Sequence, residues 1–119
     1  MRGKRREYLK YKEGARALVH ARIAHYVSLG EISPKAVRIR NSKTRWGSCS
    51  IKGNLNFHYK LVLLPPELAE YVIVHELCHL RELNHSARFW AHVASHVPDY
   101  LAKRKALHAQ GRLLRQAVR

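Results

Sequence analysis

Carboxylates are scarce in this sequence. Its 119 residues include 8 acidic residues against 23 lysines and arginines, which gives a formal net charge of +15, and Asp99 is the only aspartate. A surface with so much positive charge favours a polyanionic partner, with nucleic acid ahead of an anionic membrane or an acidic protein. The charge therefore predicts contact with nucleic acid through the basic surface, although a basic surface can also serve solubility alone.

Cysteine and long apolar segments are scarce as well. The two cysteines, Cys49 and Cys78, are too few for a disulfide scaffold, so reduced thiols and a cytoplasmic location are expected. No run approaches the ~20 apolar residues that span a bilayer, and the basic N-terminus is not followed by the apolar segment of a signal peptide. The sequence thus predicts no membrane partner. Its length predicts a single domain, 1–119, with basic N- and C-terminal arms.

A histidine motif stands at the centre of the chain. His75, Glu76 and His79 form the pattern His-Glu-x-x-His. In a helix, residues four apart share a face, so the two imidazoles can bind one Zn²⁺ ion while Glu76 reaches its open side. The preceding residues 68–74 are mostly apolar and predict a buried helix, in which an unpaired glutamate is costly unless a cation lies nearby. The motif therefore predicts a zinc site with Glu76 as the general base.

The third zinc ligand has two candidates, Glu82 and His85. Catalytic zinc normally has three protein ligands and an open position for water. Glu82 would extend the row of the two histidines along one helix, whereas a tetrahedral ion needs a ligand from another direction. His85 follows Asn84, which can end a helix, and precedes Ser86, which can cap the next one. We therefore predict His85 as the third ligand.

The N-terminal half predicts a helix followed by a sheet. Residues 1–29 are predicted to form a basic arm that enters an amphipathic helix ending at Gly30. The apolar stripe of that helix is predicted to contain Ala17, Leu18, Ala21, Ala24, His25 and Val27. Alternating segments at 37–40, 43–50 and 55–59 predict a small antiparallel sheet of three strands. An edge strand beside a zinc peptidase site can pair with extended substrate backbone, but the sequence does not identify which strand does so.

The C-terminal half predicts three helices. Pro65 and Pro66 predict the start of the metal-binding helix, which is expected to run to about Leu83. Ser86 is expected to cap a second helix, and the Val97-Pro98 pair separates that helix from a basic last helix. Helix, sheet and further helices together predict an α+β fold.

Several other side chains near the motif have structural interpretations. Phe89 and Trp90 are expected as core aromatics that clamp the bend carrying His85, and Trp46 and Cys49 are expected to have a structural role beside the site. Four residues are candidates for stabilising an oxyanion, each of them more simply a packing or surface residue: His92, His96, Tyr59 and Arg88.

Four separated motifs resemble one family of zinc peptidases. They are Arg45-Trp46-Gly47-Ser48-Cys49, Leu63-Leu64-Pro65-Pro66-Glu67-Leu68, Tyr71-Val72-Ile73-Val74-His75-Glu76-Leu77-Cys78-His79, and Asn84-His85-Ser86 with Phe89-Trp90. In this order they resemble the YgjP-like metallopeptidase domain, which is related to the SprT and WLM zinc peptidases, over about residues 6–110. The resemblance implies a minimal zincin-like fold, with an N-terminal helix, a small antiparallel sheet, the HExxH metal helix and C-terminal helices.

The resemblance also implies a site and an activity. His75, His79 and His85 are the implied ligands of Zn²⁺, and Glu76 is the implied general acid/base of a hydrolase that cleaves a protein or peptide substrate. Together with the charge, this predicts nucleic-acid-associated protein as the substrate. Longer members of the family carry a β-rich region before the first helix. If that region binds substrate, a different substrate or a partner chain is expected here.

Two other functions stay open on the residues alone. A metal-dependent hydrolase of nucleotides or phosphoanhydrides would use the arginines to hold phosphates. A DNA-binding module would keep zinc only for structure, but structural zinc is usually closed by four protein ligands. A site with three ligands and an open position therefore favours an enzyme over the DNA-binding module.

Overall fold

The structure is a computed structural model that describes residues 2–42 and 45–114. Within these ranges the elements are α1 (Arg2–Ser28), β1 (Ala36–Arg40), β2 (Gly47–Cys49), β3 (Asn54–His58), a 3-10 helix (Tyr59–Leu63), α2 (Pro66–Cys78), α3 (Ala87–His96) and α4 (Tyr100–Leu114). This is an α+β fold, as the sequence predicts. None of the described helices is long and apolar enough to cross a membrane.

Helix α1 includes the basic N-terminal segment, since it is already helical at Arg2. The predicted apolar stripe is only partly right: Leu18 and Val27 pack half-buried on the core, its other four residues are exposed, and the residues that α1 buries are Ala15, Val19, Ile23 and Tyr26. These four follow one another at intervals of four, four and three residues, so they share one face of the helix, and that face carries the large Val, Ile and Tyr side chains. The residues at 115–119, at the end of the predicted C-terminal arm, lie outside the described residues.

Gly30 ends α1, as predicted, and turns the chain towards the sheet. Its φ of 104° is strained for any residue with a Cβ. The Gly30 amide donates to the Val27 carbonyl at 3.0 Å, and the Glu31 amide donates to the Tyr26 carbonyl at 3.0 Å. These two bonds satisfy carbonyls of the last helical turn. They also place the Glu31 side chain beneath the C-terminal helices.

The sheet is mixed, which corrects the predicted antiparallel arrangement. Its strand order is β1-β3-β2: β2 pairs with β3 in antiparallel fashion, whereas β1 pairs with β3 in parallel. Leu55 and Phe57 of β3 are buried, while β2 is a short Gly-Ser-Cys segment with little apolar surface. β3, with its buried side chains, therefore lies at the centre of the sheet, and β2 lies at an edge. β1 pairs with the second strand of the β2–β3 hairpin and runs in the same direction as that strand.

Helix α2 is the central element of the core. It begins at Pro66, as predicted, and every residue from Tyr71 to Cys78 is buried. Its end at Cys78 corrects the predicted end near Leu83. The amides of Leu80 and Arg81 donate three residues back, to Leu77 at 3.0 Å and Cys78 at 3.1 Å, so the last turn tightens and the α-helix stops.

Helices α3 and α4 close the fold from the C-terminal side. The Ser86 hydroxyl accepts a hydrogen bond from the Phe89 amide at 3.3 Å, which is the predicted cap of α3. Val97 ends α3, and Pro98 separates it from α4, also as predicted. The buried face of α3 is formed by Phe89 and Val93.

His58, at the end of β3, makes the stability of this fold depend on pH. Burial lowers the pKa of His58 from 6.5 to about 4, so the folded protein holds it neutral. An unfolded chain takes up that proton near pH 6.5, and the stability present above this pH is lost as the pH falls through about 4. We expect the free energy of unfolding, measured by urea titration, to decline over this window.

The His58→Asn variant isolates this contribution. His58 Nδ1 accepts a hydrogen bond from the Lys60 amide at 3.0 Å, and an asparagine Oδ1 can accept the same bond without titrating. The variant should show a shallower decline in unfolding free energy between pH 6.5 and pH 4 than the wild type. Identical pH profiles for the two proteins would show that His58 is not the group responsible.

Candidate metal centre

Three histidine rings converge at the C-terminal end of α2. The Nε2 atoms of His75 and His79 lie 3.2 Å apart, those of His79 and His85 lie 3.2 Å apart, and those of His85 and His75 lie 3.3 Å apart. His75 and His79 are buried, and His85 is exposed. The three predicted ligands are thus brought together, with the third one reaching the group from outside the helix.

The triangle of nitrogens has the size that a tetrahedral zinc ion requires. With Zn–N distances of about 2.0–2.1 Å and tetrahedral angles, neighbouring ligand atoms are separated by about 3.3 Å. A nitrogen without a hydrogen is only an acceptor, so three such atoms repel one another at this distance unless a cation lies between them. The residues present therefore fit a metal ion with three imidazole ligands.

A hydrogen bond on the far side of the His79 ring prepares its Nε2 nitrogen for a metal. His79 Nδ1 lies 3.0 Å from the Glu82 carbonyl oxygen, which can only accept. The proton of His79 must therefore sit on Nδ1, and Nε2 keeps its lone pair. His75 Nδ1 makes a longer contact of 3.5 Å with the Tyr71 hydroxyl. Burial is the main cause that raises the pKa of Tyr71 to about 12, so this hydroxyl is protonated at neutral pH.

Aromatic stacking holds His85 in place. Its ring stacks on Trp90 with centroids 5.7 Å apart, and Trp90 stacks on Tyr100 of α4 at 5.1 Å. The Arg104 guanidinium lies 5.2 Å from the centre of the Trp90 ring, at a distance typical of cation–π contacts. Phe89 stacks on the His79 ring at 4.2 Å. Phe89 and Trp90 therefore clamp the bend that carries His85, as the sequence predicts.

Glu76 lies against the edge strand of the sheet and lines a small cavity together with His75. The residue is 2% exposed. A Cβ built on Gly47 of β2 would lie 2.9 Å from Glu76 Cγ and 3.2 Å from Glu76 Oε2. Only glycine allows the strand to approach so closely. A cavity of about 10 Å³, room for roughly one water molecule, lies between Gly47, Glu76, His75 and Trp46.

Other predicted residues have different positions. Glu82, the rival third ligand, contributes its backbone carbonyl rather than its side chain to the centre. Tyr59, an oxyanion candidate, donates its hydroxyl to Glu7 at 2.5 Å, and Arg88 is exposed on α3. Cys78 is buried, and this burial raises the pKa of its thiol to about 12, so the thiol is not ionised at neutral pH.

The other two oxyanion candidates, His92 and His96, bind Glu31 instead. Their Nε2 atoms lie 2.8 Å from Glu31 Oε2, and Arg81 Nε lies 3.3 Å from Glu31 Oε1. Burial raises the pKa of the Glu31 carboxyl, but the hydrogen bonds from His92, His96 and Arg81 outweigh it and hold the pKa below its ordinary value of 4.5. Glu31 therefore ties the end of α1 to α3 and to the turn after α2.

Sequence reasoning missed Tyr71, Gly47 and Glu31. Tyr71 precedes His75 by four residues, a spacing that places both on one face of α2 and could have indicated their contact. In the sequence Gly47 stands out only as part of a family motif, and no neighbouring residue indicates that it lies against Glu76. Glu31 is separated from its partner His92 by 61 positions, so no sequence pattern could have linked them.

Known proteins place this site in a family. The model of the family described as YgjP-like, metallopeptidase domain, matches residues 3–110. The chain is also similar to the crystal structure of the metallopeptidase zymogen of Pyrococcus abyssi abylysin, with a TM-score of 0.74 and 26% sequence identity, over 85% of this chain and 99% of that one. No curated protein sequence matches this chain significantly.

These matches confirm the family resemblance and the minimal zincin-like fold, while the kinship with SprT and WLM peptidases stays a prediction. The match covers the helix-sheet-helix order, the convergent histidines and Glu76 in one continuous range. The chain belongs to the YgjP-like metallopeptidase family.

Proposed function

We propose that the protein is a zinc-dependent metallopeptidase in which His75, His79 and His85 bind the ion and Glu76 is the catalytic general acid/base. The observation that carries the proposal is the triangle of Nε2 atoms, 3.2–3.3 Å on a side, together with the buried Glu76, which lines one small cavity with His75. Three imidazoles leave one position of a tetrahedral ion for water or substrate.

The ion and Glu76 have complementary roles in this proposal. Zinc supplies Lewis acidity, which lowers the pKa of water towards ~7 and polarises a carbonyl oxygen. Glu76 accepts the proton of the attacking water and passes it to the amine that leaves. Its close contact with Gly47 limits its rotation, so the carboxylate stays in the cavity that it shares with His75. Tyr71 and the Glu82 carbonyl orient the rings of His75 and His79.

The edge strand β2 supports a peptide as the substrate. In the described part of the chain it is an edge strand of the sheet, next to β3, and an edge strand is the kind of element that can add an extended peptide backbone. Gly47 starts this strand and abuts Glu76, so a peptide bound along β2 passes the proposed catalytic carboxylate. Backbone pairing of this kind binds many sequences, which suits a peptidase.

The charge of +15 supports nucleic-acid-associated protein as the substrate, because the basic surface would bring the peptidase to such proteins. DNA that stimulates cleavage of a DNA-bound protein, but not of a free peptide, would support this part of the proposal. Release of phosphate from nucleotides without proteolysis would instead select the phosphoanhydride hydrolase, and DNA affinity without any hydrolysis would select the DNA-binding module.

The Glu76→Gln variant tests the proposed activity. It removes the proton acceptor and leaves the three imidazoles, so we expect unchanged zinc content and a loss of about 10²–10⁴-fold in cleavage of an unfolded protein such as casein. Zinc content is measured by mass spectrometry of the metal, and cleavage by release of labelled peptides. Full activity in the variant would overturn the role of Glu76.

A pair of variants separates the two candidates for the third ligand. His85→Ala should reduce bound zinc well below the roughly one equivalent expected of the wild type. Glu82→Gln should keep the metal, since only the backbone carbonyl of Glu82 contacts His79. His20→Ala, at an exposed position on α1, is the control for loss of a histidine. Retention of zinc in His85→Ala with its loss in Glu82→Gln would reverse the assignment.

The Gly47→Ala variant tests the contact between β2 and Glu76. The added methyl would lie 2.9 Å from Glu76 Cγ, so we expect a destabilisation of ~1–3 kcal/mol and a fall in kcat, with the zinc content unchanged. Gly14→Ala, inside α1, is the matched control. Its methyl would lie 3.9 Å from Val62, an ordinary contact, and in a helix alanine is more stable than glycine by ~0.5–1 kcal/mol. Equal thermal stability and kcat in Gly47→Ala and wild type would contradict the contact.

A further inference from the structure

A groove lies on the outer face of the sheet, on the other side of Gly47 from the metal centre. It has a volume of about 580 Å³ and is lined by Arg45, which precedes β2, and by residues of all three strands, among them Arg40, Gly47, Ser48 and Asn56. Gly47 also lines the small cavity that contains Glu76 and His75. The groove is therefore continuous with the wall of the proposed catalytic site.

The groove has the chemistry of a carboxylate-binding site. Arg40 and Arg45 supply two guanidinium groups, and its lining residues in the described part of the chain include no acidic residue. His58 also lines it but is buried and neutral, so the positive charge comes from the two arginines. A planar guanidinium binds a carboxylate through two parallel hydrogen bonds.

A ladder of polar side chains across the strands positions Arg40. Arg40 Nε donates to Asn56 Oδ1 at 3.2 Å, and Asn56 Nδ2 donates to Ser48 Oγ at 3.3 Å. These bonds link β1, β3 and β2 in turn and hold the guanidinium of Arg40 over the sheet. The bond to Asn56 uses Nε, so the two terminal nitrogens of Arg40 are not part of this ladder. Such a prepared donor group loses less entropy on binding than a mobile surface arginine.

A peptide on the edge of β2 would present side chains to this groove. Successive side chains of an extended strand point to opposite faces of the sheet, so every second residue of the peptide faces the outer side. Arg45 and Ser48 lie within two residues of Gly47. At about 3.3 Å per residue, both are therefore within about 7 Å of Gly47 along the chain. The peptide residue nearest the two arginines is then within about two or three positions of the bond beside Glu76.

We propose that this groove is a specificity subsite that selects an aspartate or glutamate side chain of the peptide substrate, close to the cleaved bond. The proposal rests on the proposed peptidase function, whose substrate class it narrows. An acidic peptide fits better than a nucleic acid here, because the groove offers two guanidinium groups next to a strand edge. Nucleic-acid affinity normally comes from many phosphate contacts spread along a longer basic track.

The test measures peptide binding to the zinc-loaded Glu76→Gln protein, so it does not depend on turnover. A pool of random decapeptides is passed over the immobilised protein at physiological salt, and the retained peptides are sequenced by mass spectrometry. Matched pairs that differ only by Glu or Gln at one position are then synthesised and titrated. We expect the Glu peptide to bind about tenfold more tightly, the effect of one charge-assisted pair.

Two double variants in the same background separate the groove from the general charge of the protein. Arg40→Gln with Arg45→Gln should bring the Glu:Gln affinity ratio close to one. Arg5→Gln with Arg16→Gln removes two formal charges at exposed positions of α1 and should leave the ratio unchanged. Zinc content and thermal midpoints are compared for all proteins. Arg40→Lys with Arg45→Lys, which keeps the charge but not the planar fork, should give an intermediate ratio.

Three results would overturn the subsite: equal affinity for the Glu and Gln peptides, a preference that survives in the Arg40/Arg45 variant, or an equal loss in both double variants. So would a loss of DNA affinity confined to the Arg40/Arg45 variant with no preference among peptides, since the groove would then bind phosphates. Cleavage by the wild type is measured separately. If the groove selects Glu peptides and the wild type cleaves none of them, the proposed function fails and the subsite stands.

Discussion

The structure depends on the convergence of three imidazole nitrogens at 3.2–3.3 Å from one another. Without a cation these lone pairs repel, and with one they become ligands, so the surrounding elements are arranged to keep the rings in place against that repulsion. Helix α2 supplies His75 from its buried last turn, and His79 follows directly after the helix end at Cys78. His85 comes from farther along the chain and completes the triangle of nitrogens from a different direction.

The end of α2 is what allows the third ligand to return. The helix stops at Cys78, and the following turn brings the Glu82 carbonyl to His79 Nδ1 at 3.0 Å. A helix that continued to Leu83 would carry that carbonyl along the helix axis and away from the ring. The turn after Cys78 therefore ends α2, orients the His79 ring and brings His85 back to the other two histidines. The aromatic stack of Trp90 and Tyr100 then fixes His85 from the C-terminal side.

Two non-local contacts join the metal centre to the rest of the fold. On one side, Gly47 lets the edge strand β2 approach the Glu76 side chain to van der Waals distance. On the other, the buried Glu31 carboxylate binds His92, His96 and Arg81, which links the end of α1 to α3 and to the turn after α2. A buried carboxylate with several hydrogen-bonding partners stabilises a particular arrangement, since removal of any partner leaves charge poorly compensated. The sheet and the outer helices therefore both constrain the position of the site.

The sequence by itself determined the features that depend on neighbours a few residues away. The spacing of His75, Glu76 and His79, the Pro66 start of α2, the Ser86 cap and the Gly30 stop all follow from local helix geometry and backbone chemistry. Tertiary structure decided what local preference leaves open. The parallel pairing of β1 with β3, the buried face of α1 and the contacts of Gly47 and Glu31 follow from competition among segments far apart in the chain for a limited core. Segments that bury large apolar side chains, such as β3 with Leu55 and Phe57, prevail in that competition because this burial contributes more free energy.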